Sequence, residues 1–468
     1  MQSRPVAPPV TDAPARRAAL AAALLASFLT PFMGSSVNIA LPPIGREFSL
    51  DAVTLGWVAT AYILAAAVFL LPFGRLADIT GRRKIFTSGL GAYAAASLGA
   101  ALVQNGGQLI VLRLLQGVSG AMLFGTGVAI LTSVFPPAQR GRVLGWNAAA
   151  VYIGLSLGPT AGGLITEAFG WRFIFILNAA LAAAAFLAVS RSLKFDFREA
   201  AGEGFDMKGA VIYGLALSAV IAGFSEMPDA AGVILVVLGG VGLGMFVLIE
   251  TRTKHPLLQV SLFRGNPVFI YSNAAALINY SATFAVGFLL SLYLQFAKGF
   301  SPAGAGLVLV AQPVLMALIS PFAGRLADRL EPRLIASGGM ALSAAGLLML
   351  AFIGRDTPLV YLMTALVVIG SGFGFFSSPN TSAVMGAVER KCYGVAASTL
   401  GTMRLVGQML SLGLAMLLFA LIIGRVPISA AVLPEFIDSL RASFALFAAL
   451  SLAGVGASLA RNRVAGAA

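Results

Sequence analysis

One cysteine, Cys392, and one histidine, His255, are all that this chain of 468 residues holds of either type, and only 10% of its residues are charged. A lone thiol excludes an internal disulfide, and no Cys/His cluster can hold zinc or an iron–sulfur centre, so neither metal nor cofactor is expected. The two residues also lie in different loops, which leaves no nucleophile–base pair for an intramembrane enzyme. Soluble domains average about 25% charge and 45–50% apolar residues. With 59% apolar residues and a mean hydropathy of +0.92, this composition excludes a water-soluble globular enzyme. A net charge of +13 would suit nucleic acid only if the basic residues formed a face on a soluble module, and here they stand between apolar runs. The expected partner is the lipid bilayer, and nucleic acid is not one.

What is present is a series of long apolar runs. A membrane-spanning helix needs about 20 apolar residues, and fourteen such runs can be read, at 18–41, 53–73, 84–103, 108–134, 142–165, 171–190, 208–225, 230–250, 267–294, 303–323, 333–353, 358–380, 394–423 and 442–460. Their continuity predicts helices, since lipid-facing strands alternate apolar and polar residues. The first run is too long for the apolar region of a cleaved signal peptide and stays in the mature protein. An even count puts both termini on one side. On that assignment 23 of the 31 basic residues fall in segments sharing the side of the termini and six in the opposite loops, which makes the former side cytoplasmic. The two left over, Arg113 and Arg404, lie inside helices. The expectation is an all-α, multi-pass protein of the cell (inner or plasma) membrane, divided as a disordered cytoplasmic tail (1–17), a six-helix half (18–190), a cytoplasmic linker (191–208), two inserted helices (208–250), a cytoplasmic loop (251–266), a second six-helix half (267–460) and a tail (461–468).

An internal repeat supports that division. Gly74-Arg75-Leu76-Ala77-Asp78 returns as Gly324-Arg325-Leu326-Ala327-Asp328, at the cytoplasmic ends of the second and tenth helices. Six spans with loops take roughly 180 residues at about 30 each, so an offset of 250 residues leaves room for two extra helices between paired halves. Paired halves around a midplane site are the usual architecture of secondary transporters. The first copy continues through Gly81, Arg82 and Arg83, whereas the second has Glu331 and Pro332 where the first has Gly81 and Arg82.

With Arg113-Leu114-Leu115-Gln116-Gly117 in helix four and Gly154-Leu155-Ser156-Leu157-Gly158-Pro159-Thr160-Ala161-Gly162-Gly163 in helix five, the chain resembles the major facilitator superfamily over nearly its whole length. The three blocks look like that superfamily's motifs A, B and C, the last associated with drug:proton antiporters; fourteen spans narrow the resemblance to the 14-spanner drug-efflux branch. It implies export of small amphipathic organic compounds by alternating access, coupled to protons. It also implies that Asp78 and Arg82, with Asp328 as an echo, latch the cytoplasmic gate, and that Arg113 is linked to proton transfer. Gly154 and Gly158, at four-residue spacing, read as close-packing sites, and beside Pro159, Gly162 and Gly163 they make a thin helix able to rock on its neighbour.

One departure qualifies the drug-exporter expectation. Asn38-Ile39-Ala40-Leu41-Pro42 is intact, yet Met33 fills the position where that branch usually carries an aspartate, and none of the eighteen acids falls in a helix centre. A lipophilic cation in a low-dielectric cavity is normally met by a carboxylate. Proton carriers would have to be acids near helix ends: Asp78, Glu167 and Glu226. Cavity candidates are Asn38, Tyr62, Gln116, Asn147, Asn273, Gln312 and Arg404. Two other readings stay open: a facilitator or exporter of neutral or anionic metabolites, and a transport-inactive receptor. His255, beside Pro256, reads as a solvated loop residue, and the protein is expected to be a monomer.

Overall fold

The computed structural model describes residues 13–192, 196, 198, 200–389 and 392–461. Among them the chain forms fourteen long helices and no strand: α1 (Ala13–Phe48), α2 (Ala52–Thr80), α3 (Arg82–Ala101), α4 (Gly106–Val134), α5 (Pro137–Phe169), α6 (Arg172–Ser192), α7 (Met207–Glu226), α8 (Ala230–Glu250), α9 (Pro267–Ala297), α10 (Pro302–Ala327), α11 (Pro332–Leu350), α12 (Leu359–Gly386), α13 (Tyr393–Ile422) and α14 (Leu433–Leu459). Thirteen are long and apolar enough to cross a membrane. The remaining one, α3, opens on Arg82-Arg83-Lys84, which lowers its hydropathy. Helices are the natural outcome because a bilayer offers no partner for an unpaired backbone group. Side chains start them: Asp51 accepts from the amides of Val53 and Thr54, Asn105 from Gln108, Asp206 from Gly209, Asn266 from Phe269 and Ser301 from Gly304. The described part of α1 already includes residues 13–17, which the sequence placed in the tail; its alanines and arginines are good helix formers.

Short connections turn the chain back at each end, and the two ends of the bundle differ. The end that holds Arg82, Arg333 and Arg461 is called the basic end below, and the other the far end. The two halves repeat one neighbour pattern. In the first, α1 packs on α4, α5 and α6, α2 on α4, and α3 on α4 and α6; in the second, α9 packs on α12, α13 and α14, α10 on α12, and α11 on α12 and α14. Between halves, α2 meets α13 and α5 meets α10, again a symmetric pair. The inserted α7 leans on both α2 and α13, while α8 packs on α7 and turns Val233, Ile234, Val237, Leu238 and Val241 outward as a lipid-facing surface.

Within the first half, α5 lies against α1 at the glycines. A Cβ on Gly162 would stand 2.7 Å from the Ser36 Cβ, one on Gly154 would strike the Phe28 carbonyl, and one on Gly158 would overlap the Ser35 hydroxyl. A Cβ at Gly338, on α11, meets nothing. Overpacking a tight contact costs about 1–3 kcal/mol, whereas glycine to alanine in a free helix position gains up to about 1 kcal/mol. Gly162→Val is therefore expected to lower the thermal unfolding midpoint of the detergent-purified protein and Gly338→Ala to leave it equal or higher, as followed by the helical circular-dichroism signal.

Candidate functional site between the two halves

Arg113 sits seven residues into α4 and is 1% exposed. Its Nε donates to the Val58 carbonyl of α2 (3.1 Å), its Nη1 to Gln116 Oε1 (2.5 Å), and its guanidinium lies 4.5 Å from the centre of the Tyr62 ring. Gln116 is held in turn, donating to Ser97 Oγ of α3 at 2.8 Å. The cation is thus met by a carbonyl, an amide and an aromatic face, with no carboxylate among its described partners. The hydroxyls of Tyr62 and Tyr93 are buried beside it, with no well-formed hydrogen bond among the described residues. Gly117 permits this geometry, since a Cβ there would strike the Tyr62 carbonyl. Ser97 and Tyr93 escaped the sequence reading because they belong to α3, and nothing in one sequence says which face of α3 meets α4.

The sixteen described acids all lie within two turns of a helix end. Asp78 is twenty residues along α2 from Val58, about 30 Å at 1.5 Å per residue. Glu226 pairs with Arg425 (2.6 Å), the loop after α13, which raises that guanidinium further above its ordinary range. Glu167 makes the more informative contact: its Oε2 accepts the amide of Ala303 (3.1 Å) in the first turn of α10, across the two halves. Around it the backbones close up. A Cβ on Gly163 would strike the Pro302 carbonyl, and one on Gly306 the carbonyl of Pro159. The same end is closed by Ala52 donating its amide to the Val426 carbonyl (3.1 Å), and by Gln295 and Ser291 donating to the carbonyls of Ile39 and Asn38. The far end is where the halves are sealed.

At the basic end the repeated motif has two different fates. In the first copy Arg82 pairs with Asp78 (2.9 Å) and donates to Ser133 Oγ, and Arg75 pairs with Glu203 (2.7 Å). Gly81 takes φ +126°, and a side chain there would collide with the Asp196 carboxylate, which itself accepts the Arg83 amide (3.0 Å). Within the expected linker 191–208, Asp196 and Glu203 thus meet the motif, and Ala200 adds its amide to the Asp78 carbonyl (3.0 Å). His255 is partly exposed in its loop and lies 3.2 Å from Glu203. In the second copy Asp328 is exposed at the end of α10 and makes no ion pair among the described residues, and Gly324 faces Ser378.

The second half contributes Arg404, which is partly exposed rather than buried. Its Nη2 donates to Thr381 Oγ1 of α12 (2.7 Å) and its guanidinium lies 5.7 Å from the Tyr280 ring of α9. Tyr152 of α5 bonds Ser320 of α10 across the halves at 2.9 Å. The remaining candidates scatter. Asn147 accepts from Ser27, and Asn273 donates within its own helix to Phe269, leaving its Oδ1 buried and unpaired. Asn38 and Gln312 are partly exposed on α1 and α10. Arg461, unnoticed in the sequence, is buried just past α14; it donates to Asn380 Oδ1 (2.6 Å), and burial lowers its guanidinium to about 10. Gln116 is the residue on which the first-half network turns. Gln116→Leu strands Arg113 Nη1 and Ser97 Oγ and is expected to cost about 1–3 kcal/mol; Gln116→Glu gives the cation a counter-ion and is expected to raise stability, both read from unfolding midpoints.

Comparison with known proteins agrees with this architecture. The Major Facilitator Superfamily profile matches residues 23–412 and 272–465. Among curated proteins, the riboflavin transporter RibZ of Clostridioides difficile is 31% identical over 81% of this chain and 82% of its own length. The puromycin resistance protein pur8 of Streptomyces alboniger is 33% identical, covering 86% and 81%, and the multidrug resistance protein Stp of Mycobacterium tuberculosis 30%, covering 80% and 70%. Among solved structures, a bacterial homologue of the lysosomal transporter Spinster superposes with a TM-score of 0.71 at 14% identity, covering 96% of this chain and 97% of that one. Two like-packed six-helix halves with two inserted helices, and the repeated motif at matching corners, belong to a multi-pass membrane transporter rather than an enzyme, and the chain is a member of the Major Facilitator Superfamily.

Proposed function

We propose that the protein is a secondary transporter that exports small amphipathic organic compounds through the space between its halves by alternating access. The observation that carries the reading is the asymmetry of the seam. Glycine-backed contacts of α5 on α10 and of α2 on α13 hold the far end together, while Gly74 and Gly394 at the basic end face open space. The distribution of basic residues supports a cytoplasmic basic end and cytoplasmic termini in the cell membrane, so the sealed end faces outward. Resistance proteins among the relatives support organic toxic compounds as cargo.

Proton coupling in this proposal runs through Glu167. Its ionised carboxylate accepts an amide across the seam, and protonation removes one acceptor and the charge favoured at a helix N-terminus. Proton binding from the outer side thereby loosens the outer seal, and proton release restores it. Neither Asp78 nor Glu226 spans the α5–α10 seam in this way. Asp78 keeps the role of holding the basic-end corner through Arg82.

A host lacking its own exporters and expressing the chain is expected to tolerate higher concentrations of some members of a panel of cationic, neutral and anionic toxic compounds. Gly163→Leu and Asp78→Asn are expected to abolish that tolerance at unchanged membrane abundance; unaltered tolerance to the whole panel would instead favour a receptor. In proteoliposomes, an imposed pH gradient is expected to accelerate substrate flux severalfold for the natural chain and to leave Glu167→Gln unaffected. Flux indifferent to the gradient in both would favour a facilitator.

A further inference from the structure

We propose that Arg404 is the recognition point for an organic anion carrying an aromatic ring, held between the two halves; this rests on the transporter reading above and names the cargo class for it. The position follows from helix geometry. At 100° per residue, Arg404 lies on α13 midway between Gly401, whose Cβ direction points at Leu70 of α2, and Gly407, which packs against the Leu277 carbonyl and Tyr280 of α9. It therefore looks into the wedge between an N-half helix and a C-half helix. Its immediate partners are neutral. Thr381 takes one Nη2 hydrogen, no hydrogen bond to Nη1 exists among the described residues, and Nε is buried without a partner. Every described acid lies within two turns of a helix end, so no described carboxylate neutralises it there.

A guanidinium left in this way suits a carboxylate or sulfonate, which takes two parallel N–H donors where a threonine hydroxyl takes one. The surroundings add the second half of the specificity. Tyr280 stands edge-on to Phe373 at 5.2 Å, making an aromatic wall beside the cation. Leu70 of α2 on one side of Arg404 and Tyr280 of α9 on the other put a ligand seated against it within reach of both halves. Contact with both halves is what lets bound cargo bias the rocking between them. A lipophilic cation at the same place would meet an uncompensated positive charge.

Fluorescein and rhodamine 6G share a xanthene body and differ in charge, the first anionic and the second cationic at pH 7.5. Fluorescence anisotropy with the full-length purified chain is expected to report saturable fluorescein binding that weakens at least tenfold in Arg404→Gln and less in Arg404→Lys, which keeps the charge without the fork. Flux of both dyes from proteoliposomes is measured alongside, with elution profile and unfolding midpoint as the check that each variant is folded. Fluorescein binding and flux that fall with Arg404→Gln support the proposal. Fluorescein binding that is absent, or equally tight in folded Arg404→Gln, overturns it. Flux of rhodamine 6G without fluorescein overturns it while leaving the exporter reading intact, and Arg404-dependent binding of fluorescein without flux of either dye upholds the site and overturns the exporter reading.

Discussion

The seam at the far end rests on backbone meeting backbone. Where α5 crosses α10, the carbonyls of Pro159 and Pro302 lie where a side chain would otherwise be, opposite Gly306 and Gly163. In lipid, helices gain little from burying apolar surface against each other, so association depends on close packing and on hydrogen bonds made at short range. Small residues provide both here, and the polar contacts of Glu167, Gln295 and Ser291 depend on that closeness. At the two glycines no side chain stands between the backbones, which leaves the contact there easy to part. A seal of this kind suits a joint that must open and close in every transport cycle.

The charge distribution is the second organising fact. Acids sit at helix ends, where water and caps are within reach, while two arginines stand within helices without an acid beside them. The two solve the problem differently. Arg113 is enclosed and satisfied by a carbonyl, a glutamine and the Tyr62 ring, a cage that positions α2, α3 and α4 with respect to each other. Arg404 is partly open and only partly satisfied. The difference separates a residue that the bundle has absorbed from one still able to accept a ligand.

Much of the fold was legible in the sequence because lipid permits few solutions: runs of the right length, basic residues biased to one side and a repeated pentapeptide sufficed for the helices and their pairing into halves. Function-bearing contacts were less legible, and for a consistent reason. Arg113 and Gln116 share one helix, at a spacing that brings side chains together, whereas Ser97, Thr381 and Tyr280 come from helices whose rotation one sequence leaves open. The contact of His255 with Glu203, 52 positions away, is of the same kind: no local pattern announces it. The glycine at φ +126° was visible as a permissive residue, but not the Asp196 carboxylate that occupies the space beside it.

The fastening of Asp196, Ala200 and Glu203 to the first-half corner bears on how far the halves can part. His255 is held on that side by Glu203, while Leu262 packs into the second half's own cluster around Phe269 and Phe376. Only seven residue steps join those anchors, and a chain extends at most ~3.3–3.6 Å per residue, or roughly 25 Å in all. The covalent tether between the halves is thus a strap of fixed reach. While both anchors hold, any widening of the basic end stays inside the circle that this strap allows.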